Sequence, residues 1–238
     1  MTHKKFSVFG VPVFSGEYKF VLNWALEKPA QFRRMVTINP LILEEAKKDS
    51  KALDWVASAN LVVPDGEGIC MALKRFHGVS QEPIKGIQLV QDILAKGACK
   101  VYFLGASEVR LKKAIENVSR LYPGSRVVGY QHGYFKKDDM GSVVKAVVET
   151  EPDYIFVGMG YPRQEEIIFE LSKVLNSGLA IGVGGVIDVL SGDVAWAPSF
   201  VRRVRLEWLY RMVREPRRFR QLPLIFRFLL RTFFGKNV

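Results

Sequence analysis

The sequence is poor in residues that staple, chelate or span. Of its 238 residues only two are cysteines, Cys70 and Cys99. They form no Cys-x-x-Cys pair and imply a reduced setting rather than a disulfide framework. His3, His77 and His132 share no metal-ligand spacing with one another or with the cysteines, so no metal site and no cofactor is expected. No window approaches the roughly 20 apolar residues of a transmembrane helix. The short apolar run from Phe6 to Phe14 is broken by Gly10 and Pro12, and no small-residue cleavage site follows, which argues against a signal peptide. The chain has no Gly-x-x-x-x-Gly-Lys-Ser/Thr loop for P-loop phosphate chemistry, and no Asp-x-Asp pair to hold a metal on a diphosphate. Repeats and low-complexity segments are also missing.

Negative charge is scarce in one place above all. Arg202 to Val238 carries ten arginines and Lys236 against only Glu207 and Glu215, a formal +9 of the chain's +11. A nearly neutral body, residues 1–197, therefore gives way near Ala197–Pro198 to a basic appendage, residues 198–238. Such a balance implies an anionic partner: nucleic acid, a membrane surface or a phosphorylated substrate. The appendage is also apolar, with Leu222, Leu224, Ile225, Phe226, Phe228 and Phe234 crowding its end. Phe200–Arg214 reads as a helix with Val201, Val204, Trp208 and Met212 on one face, interrupted at Pro216. Beyond it Arg220, Arg227 and Arg231 fall on one helical face among aromatic and aliphatic residues, the pattern of a helix lying in an anionic membrane interface. The competing expectation is a C-terminal helix packed on the body with solvated arginines.

Within the body, short apolar runs alternate with longer amphipathic ones. Strands are expected at Phe6–Phe9, Met35–Ile38, Leu61–Val63, Val101–Leu104, Arg126–Val128, Tyr154–Val157 and Ala180–Val183. Helices are expected at Gly16–Glu27, Leu41–Lys47, Gly66–Phe76, Ile87–Lys96, Glu108–Leu121, Met140–Glu149 and Gln164–Leu175. This alternation predicts an α/β, Rossmann-like fold. Its largely parallel sheet is flanked by helices and buried on both faces, since the strands are continuously apolar.

Ligands of such sheets bind at the carboxyl ends of the strands, and six successive strand ends here are polar or glycine-rich. Thr37 and Asn39 offer a hydroxyl and an amide suited to sugar hydroxyls; equally, Asn39 before Pro40 suits the cap of the next helix. Asp65, between Pro64 and Gly66, is placed to act as a general base toward a hydroxyl nucleophile, or simply to close a turn. Gly105 opens the next turn. Tyr134 and Phe135 suit stacking on a nucleobase, or the core. In Gly158–Glu165 the glycines admit a ligand to the backbone, and Arg163 with the first helical N–H groups suits a diphosphate. Gln164 suits a sugar or phosphate, or merely a first helical turn. The third glycine of a dinucleotide fingerprint would fall at Arg163, so the segment is not one. Asp188, beyond Gly182, Gly184 and Gly185, suits a ribose or base, or a helix's first turn.

Taken together, these segments resemble the WecG/TagA/CpsF family of bacterial glycosyltransferases. The resemblance is carried by Thr37–Pro40, Pro64–Gly68, Val101–Gly105, Gly129–Phe135, Pro152–Glu165, Ile181–Gly185 through Asp188, Gly192 and Ala197–Pro198, then Leu206–Arg211 and Glu215–Arg218. It runs in order through almost the whole chain. It implies inverting, metal-independent transfer of a sugar, often N-acetylmannosamine or its uronic acid, from a UDP-sugar. The implied acceptor is an undecaprenyl-diphosphate-linked N-acetylglucosamine in cell-surface polysaccharide or teichoic acid synthesis. It implies Asp65 as catalytic base, Thr37, Asn39 and Gln164 lining the site, and Tyr134 and Asp188 near the uridine. The appendage is implied to target the membrane and close the site, with Arg211, Arg214, Arg217 and Arg218 as candidates to complete the diphosphate pocket. The location implied is the cytoplasm, peripheral to the inner membrane face. One departure stands out: where the family carries an Arg and then Gly-x-Asp-Leu, this chain has Pro83 and then Gly86-Ile87-Gln88-Leu89, with Lys85 as a substitute charge.

Two readings from other classes compete. A nucleic-acid-binding protein would use the basic appendage for phosphate contacts, but leaves the near-neutral body and its six ligand-like strand ends unexplained, so no nucleic-acid partner is expected. A nicotinamide-dependent oxidoreductase would suit the α/β pattern, but lacks the glycine fingerprint followed by an acidic residue.

Overall fold

A computed structural model describes residues 4–28, 30–194, 198, 201, 203, 207–214 and 216–237. The side chains of residues 207, 208, 211 and 216–218 lie outside that description. The chain opens with an antiparallel hairpin, β1 (Lys4–Val8) and β2 (Val11–Ser15), paired from Lys4↔Ser15 to Val8↔Val11. Sequence pattern alone shows one strand here, because Pro12 argues against a second. In a two-stranded ribbon the proline sits opposite Ser7 without breaking a longer ladder.

The body follows as α1 (Tyr18–Leu26), β3 (Arg33–Ile38), α2 (Pro40–Ala46), α3 (Ser50–Ala57), β4 (Leu61–Pro64), α4 (Glu67–His77), α5 (Gly86–Lys96), β5 (Cys99–Gly105), α6 (Glu108–Leu121), β6 (Ser125–Gln131), α7 (Met140–Glu149), β7 (Tyr154–Gly158), α8 (Arg163–Leu171), β8 (Leu179–Gly182) and α9 (Val186–Leu190). The C-terminal region shows α10 (Glu207–Arg214), a 3₁₀ segment Pro216–Gln221 and α11 (Leu222–Phe234). The short helices α3, of eight residues, and α9, of five, are not expected from the sequence pattern.

Strands β3 to β8 form one six-stranded parallel sheet in the order β4-β3-β8-β7-β5-β6, the α/β architecture expected. Its inner strands are buried on both faces: Phe103, Ile155, Phe156, Ala180 and Ile181 are fully inaccessible. One face packs on α5, α6 and α9, the other on α7 and α8. A third apolar cluster lies beyond the β4 edge, where the hairpin meets α2, α4 and Phe228 of α11.

The strand order locates the ligand crevice. From β5 the chain moves outward to β6, and from β7 it moves the other way to β8. Neighbouring strands whose connections diverge leave a gap beyond their carboxyl ends, and β5 and β7 are such a pair.

Candidate active site

The crevice between β5 and β7 is built from backbone. Gly105 and Gly158 face each other in register. A Cβ on Gly105 would lie 2.3 Å from the Gly158 carbonyl oxygen, and one on Gly158 would lie 2.5 Å from the Gly184 oxygen. Only glycine allows these three strand ends to approach so closely, and the result is a channel floored by peptide groups. The Ala106 N–H donates to Gly158 O at 3.1 Å, and the Gly133 N–H donates to Ala106 O at 2.9 Å, joining the loop after β6 to the same floor.

On the other side of β8, side chains replace glycine. Thr37 is buried at the end of β3 and its Oγ1 donates to Gly182 O at 2.7 Å, tying β3 to the glycine loop. Asn39 caps α2, its Oδ1 accepting from the N–H groups of Leu41 and Ile42 at 3.0 Å each. The capping expectation is therefore met, and the Asn39 side chain is held at the rim by that role. Asp65 is half-buried beyond β4 and its N–H donates to Ile38 O at 2.7 Å. Gly66, at φ +92, then turns the chain into α4. Asp65 thus stands at one strand end beside Thr37 and Asn39 at the next.

The turn into α8 is held by buried side-chain hydrogen bonds. Gln164, 1% exposed, accepts from the Gly184 N–H at 3.1 Å through Oε1 and donates to Glu165 Oε1 at 2.7 Å through Nε2. Its amide lies flat on Gly182, where a Cβ would fall 2.7 Å from Nε2. Burial pushes the Glu165 carboxyl up to about 7, the hydrogen bond from Gln164 offsetting only part of that rise. Glu165 Oε2 and the Tyr161 hydroxyl are buried without hydrogen-bond partners. Burial and the nearby acidic groups also push the Tyr161 phenol up. Glu165 is the main residue that sequence reading passes over, because a glutamate in a first helical turn normally faces solvent.

Arg163 is half-buried and already engaged: Nη2 donates to Phe135 O at 2.7 Å and the guanidinium lies 5.0 Å from the Phe135 ring centroid. It clamps the loop after β6 to the α8 turn. Tyr134, one residue earlier, is 77% exposed and follows Gly133, whose N–H is tied to the floor of the channel at Ala106 O. Asp188, in the first turn of α9, takes Arg110 Nη1 at 3.0 Å. Arg110 also lies 3.8 Å from Asp193, so α6 supplies a charged partner that sequence spacing does not reveal.

Of the appendage arginines, Arg214 is exposed, its guanidinium 5.6 Å from the Tyr210 ring centroid. The side chains of Arg211, Arg217 and Arg218 lie outside the described residues. Among the described residues no helix is long and apolar enough to cross a membrane. Helix α11 is docked rather than detached. Phe228 is fully buried and packs edge-on to Phe9, with ring centroids 6.0 Å apart. A Cβ on Gly68 would meet Phe228 Cε1 at 3.4 Å and Pro40 Cγ at 2.4 Å, so the helix seats where α2 and α4 leave the Asn39 and Asp65 turns. Arg231 Nη1 lies 3.4 Å from Oε1 of Glu44, which is 1% exposed, and Asn237 closes the end on Phe9 N–H at 2.7 Å. Arg220 belongs to the 3₁₀ segment before the helix, so the three arginines do not share one helical face as expected; of the two on α11, Arg231 turns toward the body. The helix packs on the body through one side, as the competing expectation has it, while Phe226, Leu230, Phe233 and Phe234 are exposed on the helix.

Comparison with known proteins is consistent with this geometry. A family model described as "Glycosyl transferase WecG/TagA/CpsF family" matches residues 6–237. A Bacillus spizizenii protein named N-acetylglucosaminyldiphosphoundecaprenol N-acetyl-beta-D-mannosaminyltransferase is 37% identical over 191 residues, 79% of this chain and 74% of its own. Proteins of the same name from Bacillus subtilis and Staphylococcus aureus (strain MW2) are 33% identical over 82% of this chain and 34% identical over 80%, in each case covering 76% of the relative.

Proposed function

Because the chain belongs to the WecG/TagA/CpsF family of glycosyltransferases, we propose that it moves an N-acetylmannosamine-type sugar from a UDP-sugar to N-acetylglucosamine on undecaprenyl diphosphate. The named relatives carry this acceptor and this sugar in their printed names. The observation that carries the reading is the Thr37–Gly182 hydrogen bond. It joins the Asp65 end of the sheet, suited to a hydroxyl nucleophile, to the glycine channel, suited to a nucleotide diphosphate. On this reading the base and the leaving-group site share one rigid edge, which supports transfer between them.

Asp65 takes the proton from the acceptor hydroxyl as that oxygen attacks the anomeric carbon. The C–O bond to UDP breaks on the opposite face, so the anomeric centre inverts. With no Asp-x-Asp pair in the sequence, the charge of the leaving diphosphate falls to backbone N–H groups of the Gly160–Gln164 turn and to appendage arginines. Tyr134 stacks on the uracil, and Asp188 accepts from the ribose. The outward side of α11, with Phe226 and Phe234 beside Arg227, binds an anionic membrane surface at the cytoplasmic face. There it meets the polyprenyl acceptor of a surface-polymer pathway. A cleft of about 640 Å³, lined by Gly16, Tyr18, Phe20, Gln81, Glu82 and Pro83, reaches this edge through Ile84, whose N–H donates to Pro64 O at 2.8 Å. Pro83, one position of the departure from the family pattern, lies in its wall, and we assign sugar or acceptor selection to this cleft.

The test is transfer to a short-chain lipid-diphosphate N-acetylglucosamine from a panel of UDP-sugars with EDTA present. Transfer from one donor, with inverted product stereochemistry, is expected. Silence across the panel together with no UDP binding overturns the reading.

A further inference from the structure

On the reading of the glycine channel as the nucleotide site, we infer that Glu165 is a positioning residue. Its carboxylate fixes the Gln164 amide, and through it the Gly182–Gly185 loop, in the form that receives the donor. The starting point is an anomaly. Glu165 is 2% exposed, no cation pairs with it among the described residues, and its Oε2 has no hydrogen-bond partner. Burying a carboxylate in this way opposes folding, and for filling space alone a leucine or glutamine would serve.

What the carboxylate does uniquely is accept. A side-chain amide has nearly the same shape after a half-turn that exchanges its oxygen and nitrogen. Here the orientation matters, because the Gln164 oxygen must face the Gly184 N–H at 3.1 Å. An acceptor-only neighbour at 2.7 Å from Nε2 enforces that orientation. The flipped amide would set an NH₂ group against the Gly184 N–H, donor against donor. The loop has no slack to absorb this. Thr37 holds the Gly182 oxygen at 2.7 Å, Gly184 sits at φ +52, and the Gly184 carbonyl lies so near Gly158 that a Cβ there would not fit.

Protonation of Glu165 removes the lock, since the resulting O–H can donate to the amide oxygen and stabilise the flipped form. Among the described residues, the groups facing this turn leave it without a compensating cation. Tyr161 lies in the same turn. Across the packed α2 and α3 elements stand Glu45, itself paired with Lys48 at 2.7 Å, and Asp49. Arg34 of β3 is spent on the Phe169 ring, 5.2 Å from its centroid, and on Ser58 O at 2.8 Å. Lys137 pairs with Glu166, on the neighbouring position of α8, at 3.3 Å. Donor affinity is therefore expected to fall on acidification, because only the ionised form is binding-competent.

The experiment measures binding of a UDP-N-acetylhexosamine, whose diphosphate diester does not titrate in this range, from pH 5.5 to 8 in wild type and Glu165→Gln. Amide hydrogen exchange at Gly184, corrected for intrinsic rates, is followed in parallel. Glutamine keeps an acceptor for Gln164 but cannot ionise. Wild-type affinity is expected to fall about tenfold per pH unit below the carboxyl's midpoint, with Gly184 protection following the same curve, while Glu165→Gln varies less than twofold. An equal slope in Glu165→Gln, or a flat wild-type profile, overturns the assignment. If no UDP-sugar binds at any pH, the nucleotide reading fails separately, and Gly184 exchange decides. Protection that is independent of pH in wild type would then overturn the positioning role.

Discussion

The carboxyl edge of the sheet and the outer side of α11 face opposite problems and solve them with opposite materials. The edge is nearly neutral and sterically exact. Gly105 and Gly158 bring backbones together with no room for a methyl group, and Thr37 Oγ1, Asn39 Oδ1 and Gln164 Oε1 are each committed to a named partner. The helix is greasy and basic, held by a few anchors, Phe228, Arg231 and Asn237, with large apolar side chains left in solvent. Phe234 is 85% exposed. One region fixes atoms for chemistry, where small displacements are costly. The other, on the function proposed above, would bind a surface through area and charge, where individual residues matter little. Substitutions in the two regions should therefore separate catalysis from membrane association.

The sharpest way to break that separation is at Asp65. Asp65→Asn should lose about 10²–10⁴ in transfer rate while UDP binding and liposome binding stay near wild type, as read by single-turnover transfer, calorimetry and flotation. Next is the anchor. Phe228→Ala removes a fully buried ring and should destabilise the docked α11 by about 3–5 kcal/mol, visible as faster amide exchange in Leu222–Phe234. The sheet should keep its protection; loss of protection throughout the body would show that helix and edge are not separable.

A third prediction concerns stability at the ordered turn. The folded Glu165 carboxyl titrates at about 7 against an ordinary 4.5, so between those values the native state binds more protons than the unfolded one. Stability must fall as pH rises from about 4.5 to 7 and level off above, by about 3 kcal/mol as an order of magnitude. Glu165→Gln should lack that slope and exceed wild type in thermal midpoint at pH 8. Stability and donor binding thus respond to this proton in opposite senses, which a purely structural glutamate would not produce. The smallest effect belongs to the helix's outer side. Arg227→Gln should weaken binding to anionic vesicles by about 1 kcal/mol, with no change in solution UDP affinity and little binding to neutral vesicles in either form.

Much of the edge was legible in the sequence because strand-terminal turns carry local signals. Thr37–Asn39, Pro64–Gly66 and Gly182–Gly185 all lie at strand ends as expected, and six of the seven expected strands form the parallel sheet. What escaped depends on contacts between distant segments. The β1–β2 hairpin was hidden by Pro12. Arg110 meets Asp188 across 78 positions, and Arg231 meets Glu44 across 187, so no local pattern could announce either pair. Arg163 was legible as a charge at a glycine turn, yet only the structure shows its clamp on Phe135. The burial of Glu165 follows from where α8 packs, which period counting cannot resolve for one residue in a first turn.

The central claim, that this edge transfers a sugar with Asp65 as base, is tested most directly by comparing wild type and Asp65→Asn on lipid-diphosphate N-acetylglucosamine with the donor that the panel identifies. The account predicts inverted product from wild type and a loss of at least about 10² in the single-turnover rate for the variant, with UDP affinity preserved. Near-normal turnover by Asp65→Asn would contradict it.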